Sequence, residues 1–243
     1  MKPIVNSTPL VLSDANIKVL AFDADDTLWE NETYFREVEE KFGELMEDFL
    51  PRHSTARELL RTEIENIDLY GYGIKAFMLS MIETAIRITD KTIPVSAIEK
   101  IIDLGRVMLT KPVTLLPGVE DVLKQLQGQY RLVMATKGDL LDQERKLKKS
   151  GLEKYFHHIE IMSEKKEGDY QKLIRHLDIK PEAFAIIGNS IKSDVLPVIN
   201  LGGVGIHVPF HTTWAHETVE AGINHPNFYQ VKSINEIITL MAG

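Results

Sequence analysis

Cysteine is absent from all 243 residues. That excludes a disulfide framework, a thiolate nucleophile and a Cys-ligated metal site. No run approaches the eighteen or so consecutive apolar residues that a membrane span needs. The opening stretch MKPIVNSTPLVLSDAN is interrupted at Asn6, Ser7, Thr8 and Pro9, so no secretory signal is expected and a cytoplasmic location is the default. A basic excess is missing too. Against 36 acidic residues stand 28 basic ones, a formal net charge of -8, which argues against nucleic acid as the main partner. A small anionic substrate stays open, because it needs only a few local cations. There is no internal repeat, low-complexity tract or linker. What remains is an ordinary globular composition, 44% apolar and 26% charged, at a length that suits one large domain or a core with a smaller insert.

The layout alternates between strands and helices, with one long interruption. IKVLAFD, from Ile17, is a continuous apolar run, as expected for a parallel strand covered on both faces. Residues 31 to about 110 then contain almost nothing strand-like. Tyr34, Phe35, Val38, Phe42, Leu45, Met46 and Phe49 fall at helical spacing and predict an amphipathic helix that ends before Pro51. STARELLRTEIENI reads as a second helix with Ser54 as its N-cap, GIKAFMLSMIETAIRIT as a third and SAIEKIIDLGRVML as a fourth. Alternation resumes at LLPGVEDVLKQLQGQYRLVMATKGD and predicts strands at YRLVMAT, HIEIM, AFAIIGN, VGIHV and in the tail, with helices between them. The expected fold is α/β: a doubly wound, mostly parallel sheet. Residues 1–28 and 112–243 would form its core and 29–111 a helical domain inserted into it.

In such a sheet, ligands sit at the carboxyl ends of the strands. The first strand ends in Asp23, with Asp25 and Asp26 close behind; YRLVMAT ends in Thr136; Lys165 and Lys166 follow HIEIM; Gly188, Asn189, Ser190 and then Asp194 follow AFAIIGN. Carboxylates, a hydroxyl, an amide and a cation in one cleft suit phosphoryl transfer. Mg2+ and a lysine would neutralise the phosphate. Asp23 could take the phosphoryl group as an acyl phosphate, and Asp25 could move the leaving-group proton.

FDADDTLW, MATKGD, SEKKEGDY and IIGNSIKSD stand in the order and spacing of four motifs, and the chain from about residue 17 onward resembles the haloacid dehalogenase-like hydrolase superfamily. The first motif is highly specific when the fourth follows about 165 residues later. The resemblance implies the same doubly wound core with a helical cap between the first and second motifs. It makes Asp23 the nucleophile, Asp25 the acid and base, Thr136 the phosphate-holding hydroxyl, and Asp194 a metal-ligating carboxylate. Lys165, rather than Lys166, suits the third motif by its distance to Tyr170. The implied metal set is Asp23, Asp25, Asn189 and Asp194 around Mg2+. Thr136, Lys137, Lys165, Trp29, Tyr72 and Lys75 would meet the substrate. Two positions depart from the pattern: Asn189 stands where Asp often opens the fourth motif, and Asp26 where many members have Gly.

Each feature also has a plainer reading. Asp25 or Asp26 alone would cap a helix, as would Asp194. Thr is common in strands, and Lys165 and Lys166 lie in a charged run that would otherwise be a solvated face. His207, His211, His216 and His225 lack an established ligand pattern, so zinc is not expected there. YGYGIKAF, residues 70 to 77, is either a helix-helix turn or a specificity loop, and Trp29 and Asn31 either fill space or line a hinge. The expected activity is Mg2+-dependent hydrolysis of a small phosphorylated metabolite by a monomer or homodimer, with no membrane or nucleic-acid partner. A phosphomutase, a 2-haloacid dehalogenase and a non-catalytic binding protein are the alternatives.

Overall fold

Six short, apolar, β-rich segments pair side by side in a computed structural model that describes residues 12, 16–219 and 222–242. They are β1 (Val19–Phe22), β2 (Arg131–Lys137), β3 (His158–Met162), β4 (Phe184–Gly188), β5 (Val204–His207) and β6 (Phe228–Gln230). Their spatial order is β3-β2-β1-β4-β5-β6, and every neighbouring pair is parallel. Central β1 has all four residues buried, as a strand covered on both faces requires.

Two apolar layers cover the sheet. On one face, Phe22, Leu20, Met134 and Ile187 pack with Val119, Val122 and Leu123 of α5 (Val119–Leu126), Leu147 of α6 (Leu140–Ser150) and Ile237 of α9 (Glu236–Met241). On the other, Val19, Ala21, Val133 and Ile186 meet Leu173 and Ile174 of α7 (Glu167–His176) and Val198 of α8 (Leu196–Asn200). Burying each such side chain contributes roughly 1.5–3 kcal/mol. The chain runs β1 to β2 to β3 in one direction, then returns through β4 and runs outward to β6. The order therefore reverses between β1 and β4, which opens a crevice at their carboxyl ends.

Between β1 and β2 lie α1 (Glu32–Leu45), α2 (Arg52–Tyr70), α3 (Ile74–Ile88) and α4 (Val95–Thr110). These helices bury an apolar set of their own, including Phe42, Met46, Leu59, Phe77, Met81 and Ile101. The chain leaves and re-enters the sheet through two adjacent segments: Leu116 N–H donates to Leu28 O (2.9 Å) and Glu30 N–H to Thr114 O (3.0 Å). The expected helices are all present, with two local differences. Ser54 is not an N-cap, because α2 starts at Arg52, where the extended Pro51 offers its carbonyl to Ser54 and Thr55 N–H (2.8 and 3.0 Å). The first helix ends before Pro51 as expected, but already at Leu45, so Met46 and Phe49 lie in the turn beyond it. No described helix is long and apolar enough to cross a membrane.

Candidate active site

β1 delivers Asp23 to the crevice, and β4 delivers Asn189 and Ser190 beside it. A π-helical turn over Ile191–Val195 then folds Asp194 back over the end of β4; such turns are frequent at functional sites. The fold-back requires Gly188, because a Cβ there would stand 2.2 Å from Asp194 Oδ2. Ser190 N–H holds that same oxygen at 3.0 Å. The ammonium of Lys165 sits between the two acids, 2.5 Å from Asp23 Oδ1 and 2.6 Å from Asp194 Oδ1. Lys165 is 4% exposed, whereas Lys166 lies outside at the start of α7 with its side chain largely in solvent. Thr27 Oγ1 donates to Asp23 Oδ2 (3.0 Å) and accepts from Asn189 N–H (3.1 Å), tying β1 to β4.

Burial pushes the Asp23 carboxyl up to about 7, with Lys165 pulling it down and Asp194 adding to the rise. Burial works against the Lys165 ammonium, but Asp194 and Asp23 outweigh it and hold its pKa well above the ordinary lysine value. This pocket is therefore short of positive charge. Asp23 and Asp194 with the amide oxygen of Asn189 form a hard oxygen donor set. It fits Mg2+, which takes one or two carboxylates and keeps water in its remaining positions. Among the described residues, no group of three or more His, Asp or Glu is arranged to hold a metal; the four named histidines do not gather. His207 Nε2 lies 3.0 Å from Asn189 O, and His225 Nδ1 accepts from Asn227 N–H.

Asp25 shares the cavity, but its carboxylate is turned to other partners. Trp29 Nε1 (2.7 Å) and Lys146 Nζ (2.6 Å) donate to Oδ1, and Gln143 Nε2 (2.8 Å) to Oδ2. Of the four expected metal ligands, Asp23 and Asp194 share Lys165 and Asn189 is tied to Asp23 through Thr27, while the Asp25 side chain is held by other partners. Asp26, at φ +61°, accepts Asn31 and Glu32 N–H and so caps the start of α1. Burial, then the Asp25 charge, raises it to about 8.

Thr136 and Lys137 close β2 and line the same cavity. Lys137 Nζ donates to Ser193 Oγ (2.9 Å) and pairs with Glu217, which also accepts from Ser190 Oγ (2.5 Å) and Ser193 Oγ (2.6 Å). Burial opposes the Glu217 charge, yet Lys137 and the two hydroxyls bring its pKa down to about 2. Above Lys137, 4.3 Å from its ammonium, lies the ring of Tyr72. The turn that presents Tyr72 needs its glycines, since Gly71 and Gly73 both have positive φ, 68° and 99°. Tyr72 donates to Glu164 (3.0 Å), so the turn touches the sheet side of the cavity. Two expected contact residues lie elsewhere. Trp29 is fully buried beneath Asp25, and Lys75 pairs with Asp139 (2.7 Å) with half of its side chain in solvent. Neither lines the cavity.

The cavity encloses about 180 Å3 between the strand ends and the inserted helices. Its lining includes residues that no sequence motif marks: Gln143 and Lys146 on α6, Glu63 on α2, and Trp214 and Glu217 in the segment after β5. Gln143 and Lys146 are three apart and share one helix face. Glu217 carries no local signal at all.

A family model described as haloacid dehalogenase-like hydrolase matches residues 17–202. A haloacid dehalogenase-like family hydrolase from Xanthomonas campestris is 35% identical, with 97% of each chain covered and a TM-score of 0.84. The chain belongs to the haloacid dehalogenase-like hydrolases. Two more distant structures share the fold. One is described as a predicted phosphoglycolate phosphatase from Haemophilus somnus 129pt (15% identity, 93% and 98% covered, TM-score 0.60). The other is a 2-haloacid dehalogenase from Pseudomonas syringae pv. Tomato DC3000 (16% identity, 92% and 97% covered, TM-score 0.60). No curated protein matches the sequence.

Proposed function

We propose that this hydrolase cleaves phosphomonoesters of a small alcohol, with Mg2+ and an aspartyl-phosphate intermediate, under a cap formed by the inserted helices. The observation that carries the reading is the presence of two separated carboxylates at one cavity: Asp23 beside Lys165 and Asp194, and Asp25 held by Trp29, Gln143 and Lys146. Displacement of a halide needs one carboxylate as nucleophile and no proton for the leaving group, whereas a departing alcohol calls for the second carboxylate as acid.

Mg2+ held by Asp23, Asp194 and Asn189 would supply charge neutralisation for the phosphoryl oxygens. Lys165 would add a cation at the same place, and Thr136 a hydroxyl donor. Asp23 attacks phosphorus, the ester P–O bond breaks, and the departing oxygen takes a proton from Asp25. Water then attacks phosphorus, gives a proton back to Asp25 and releases Asp23 and phosphate. Burial raises the Asp23 carboxyl and Lys165 lowers it; a divalent cation held by the same residues would add to the lowering and favour the ionised, nucleophilic form.

Hydrolysis of a chromogenic phosphate ester by wild type and Asp23→Asn, with and without Mg2+, tests this. Turnover that requires Mg2+ and falls by more than about 10³-fold in the variant is expected. Undiminished turnover in a folded Asp23→Asn protein would sink the mechanism.

A further inference from the structure

The part of the cavity facing the catalytic floor has a polar lining that is largely of one sign. Glu32 and Glu39 on α1 and Glu63 on α2 converge there. Arg36 pairs with Glu32 (3.0 Å) and Glu39 (2.7 Å) and reaches on to Thr213 O (3.4 Å). Glu63 is outside those pairs. It lies beside the Trp214 side chain, and its Oε2 is buried with no hydrogen-bond partner. Three carboxyls face one guanidinium at this end, an excess of acids over cations. The lysines lining the cavity cannot offset it, since Lys137, Lys146 and Lys165 are each paired with an acid of the floor. Aromatic rings line the same cavity: Phe35 against Phe77 (5.0 Å) and Tyr72 edge-on to Trp214 (6.2 Å).

A phosphate ester whose other half is neutral or anionic meets uncompensated acids at this wall. An ester whose other half is cationic meets partners, and the aromatic faces add a cation–π attraction. The geometry points to a phosphomonoester of an amino alcohol or amino sugar as the substrate class, with the phosphate on Lys165 and the ammonium at Glu63 and Glu39. The assignment rests on the phosphatase reading for what occupies the floor. Burial first, then the neighbouring acid Glu39, pushes Glu63 up to about 8, and burial likewise raises Glu32 to about 7; a cation bound between them would draw these carboxyls into the ionised form.

Calorimetric binding of 2-aminoethylphosphonate, 2-hydroxyethylphosphonate and phosphonoacetate to the Mg2+-loaded protein separates the possibilities. Turnover of the corresponding amino, hydroxy and carboxylate phosphate esters is followed in parallel. The aminophosphonate is expected to bind at least about tenfold more tightly than either counterpart. That preference is expected to shrink to about threefold or less in Glu63→Gln and in Glu39→Gln, each shown to be folded by its melting curve. Equal or undetectable binding of the three compounds overturns the inference, as does a preference that survives both substitutions. Amine-selective binding without turnover of any ester leaves the inference standing and removes the phosphatase reading. Turnover of all three esters at equal efficiency does the reverse.

Discussion

The ammonium of Lys146, on α6, lies 2.6 Å from Asp25 Oδ1 although 121 residues separate them in sequence. With Gln143 and Trp29 it holds the proposed acid and base from three sides. Asp25 alone follows β1 through a tight turn and would otherwise be free to change rotamer. Proton transfer needs it within hydrogen-bond reach of the leaving oxygen, so its donors act as positioning groups.

Lys146→Met is therefore expected to lower kcat about 10- to 100-fold with a smaller change in KM, since general acid–base contributions are of that order or more. Lys146→Arg should recover part of the loss, because it keeps the charge. Steady-state kinetics checks both. A fall in KM-related binding with kcat preserved would show that Lys146 serves the substrate and not Asp25.

Glu217 predicts a pH effect of definite sign. Its carboxyl titrates at about 2 in the folded protein, against 4.5 ordinarily, so the unfolded chain binds the proton more readily. The stabilisation is full above about pH 5 and lost as pH falls towards 2; it is roughly 3 kcal/mol. Glu217→Gln should be less stable than wild type at pH 7, and the gap should close in acid. Urea unfolding at pH 7, 5 and 3 measures it, and a gap independent of pH would refute the assignment.

Gly188→Ala places a methyl where Asp194 Oδ2 now lies, so Asp194 must move away from Lys165. The expected cost is about 1–3 kcal/mol of stability, typical of overpacking. Activity should fall much further, by about 10²-fold or more, because the removed contact sits beside the nucleophile. Thermal melting and kcat on the same preparation give the two numbers. Full activity in this variant would mean that Asp194 is not needed where it stands.

Much of the architecture was legible because it is local. Apolar runs such as VLAF and AIIG carry the signal of strands buried on both faces, and the helical spacing of Phe35, Val38 and Phe42 marks α1. The position of Asp23 and Asp25 just after β1 followed from the same pattern, whereas the preference for Lys165 over Lys166 came from the family resemblance, through the spacing to Tyr170. Helix starts were less legible. Ser54 looks like a cap in sequence, but Pro51 starts the helix one turn earlier with its carbonyl, using a backbone geometry that side-chain type does not reveal.

The sequence by itself determined the order of strands and helices, the insertion between β1 and β2, and which residues stand at the strand ends, because these depend on periodicity and chain order. Only the tertiary structure decided which side chains meet. Trp29 and Lys75 turn away from the cavity, while Gln143, Lys146, Glu63 and Glu217 enter it from α6, α2 and the segment after β5. Such contacts are set by how packed layers place distant residues, and a ten-residue window holds no record of them.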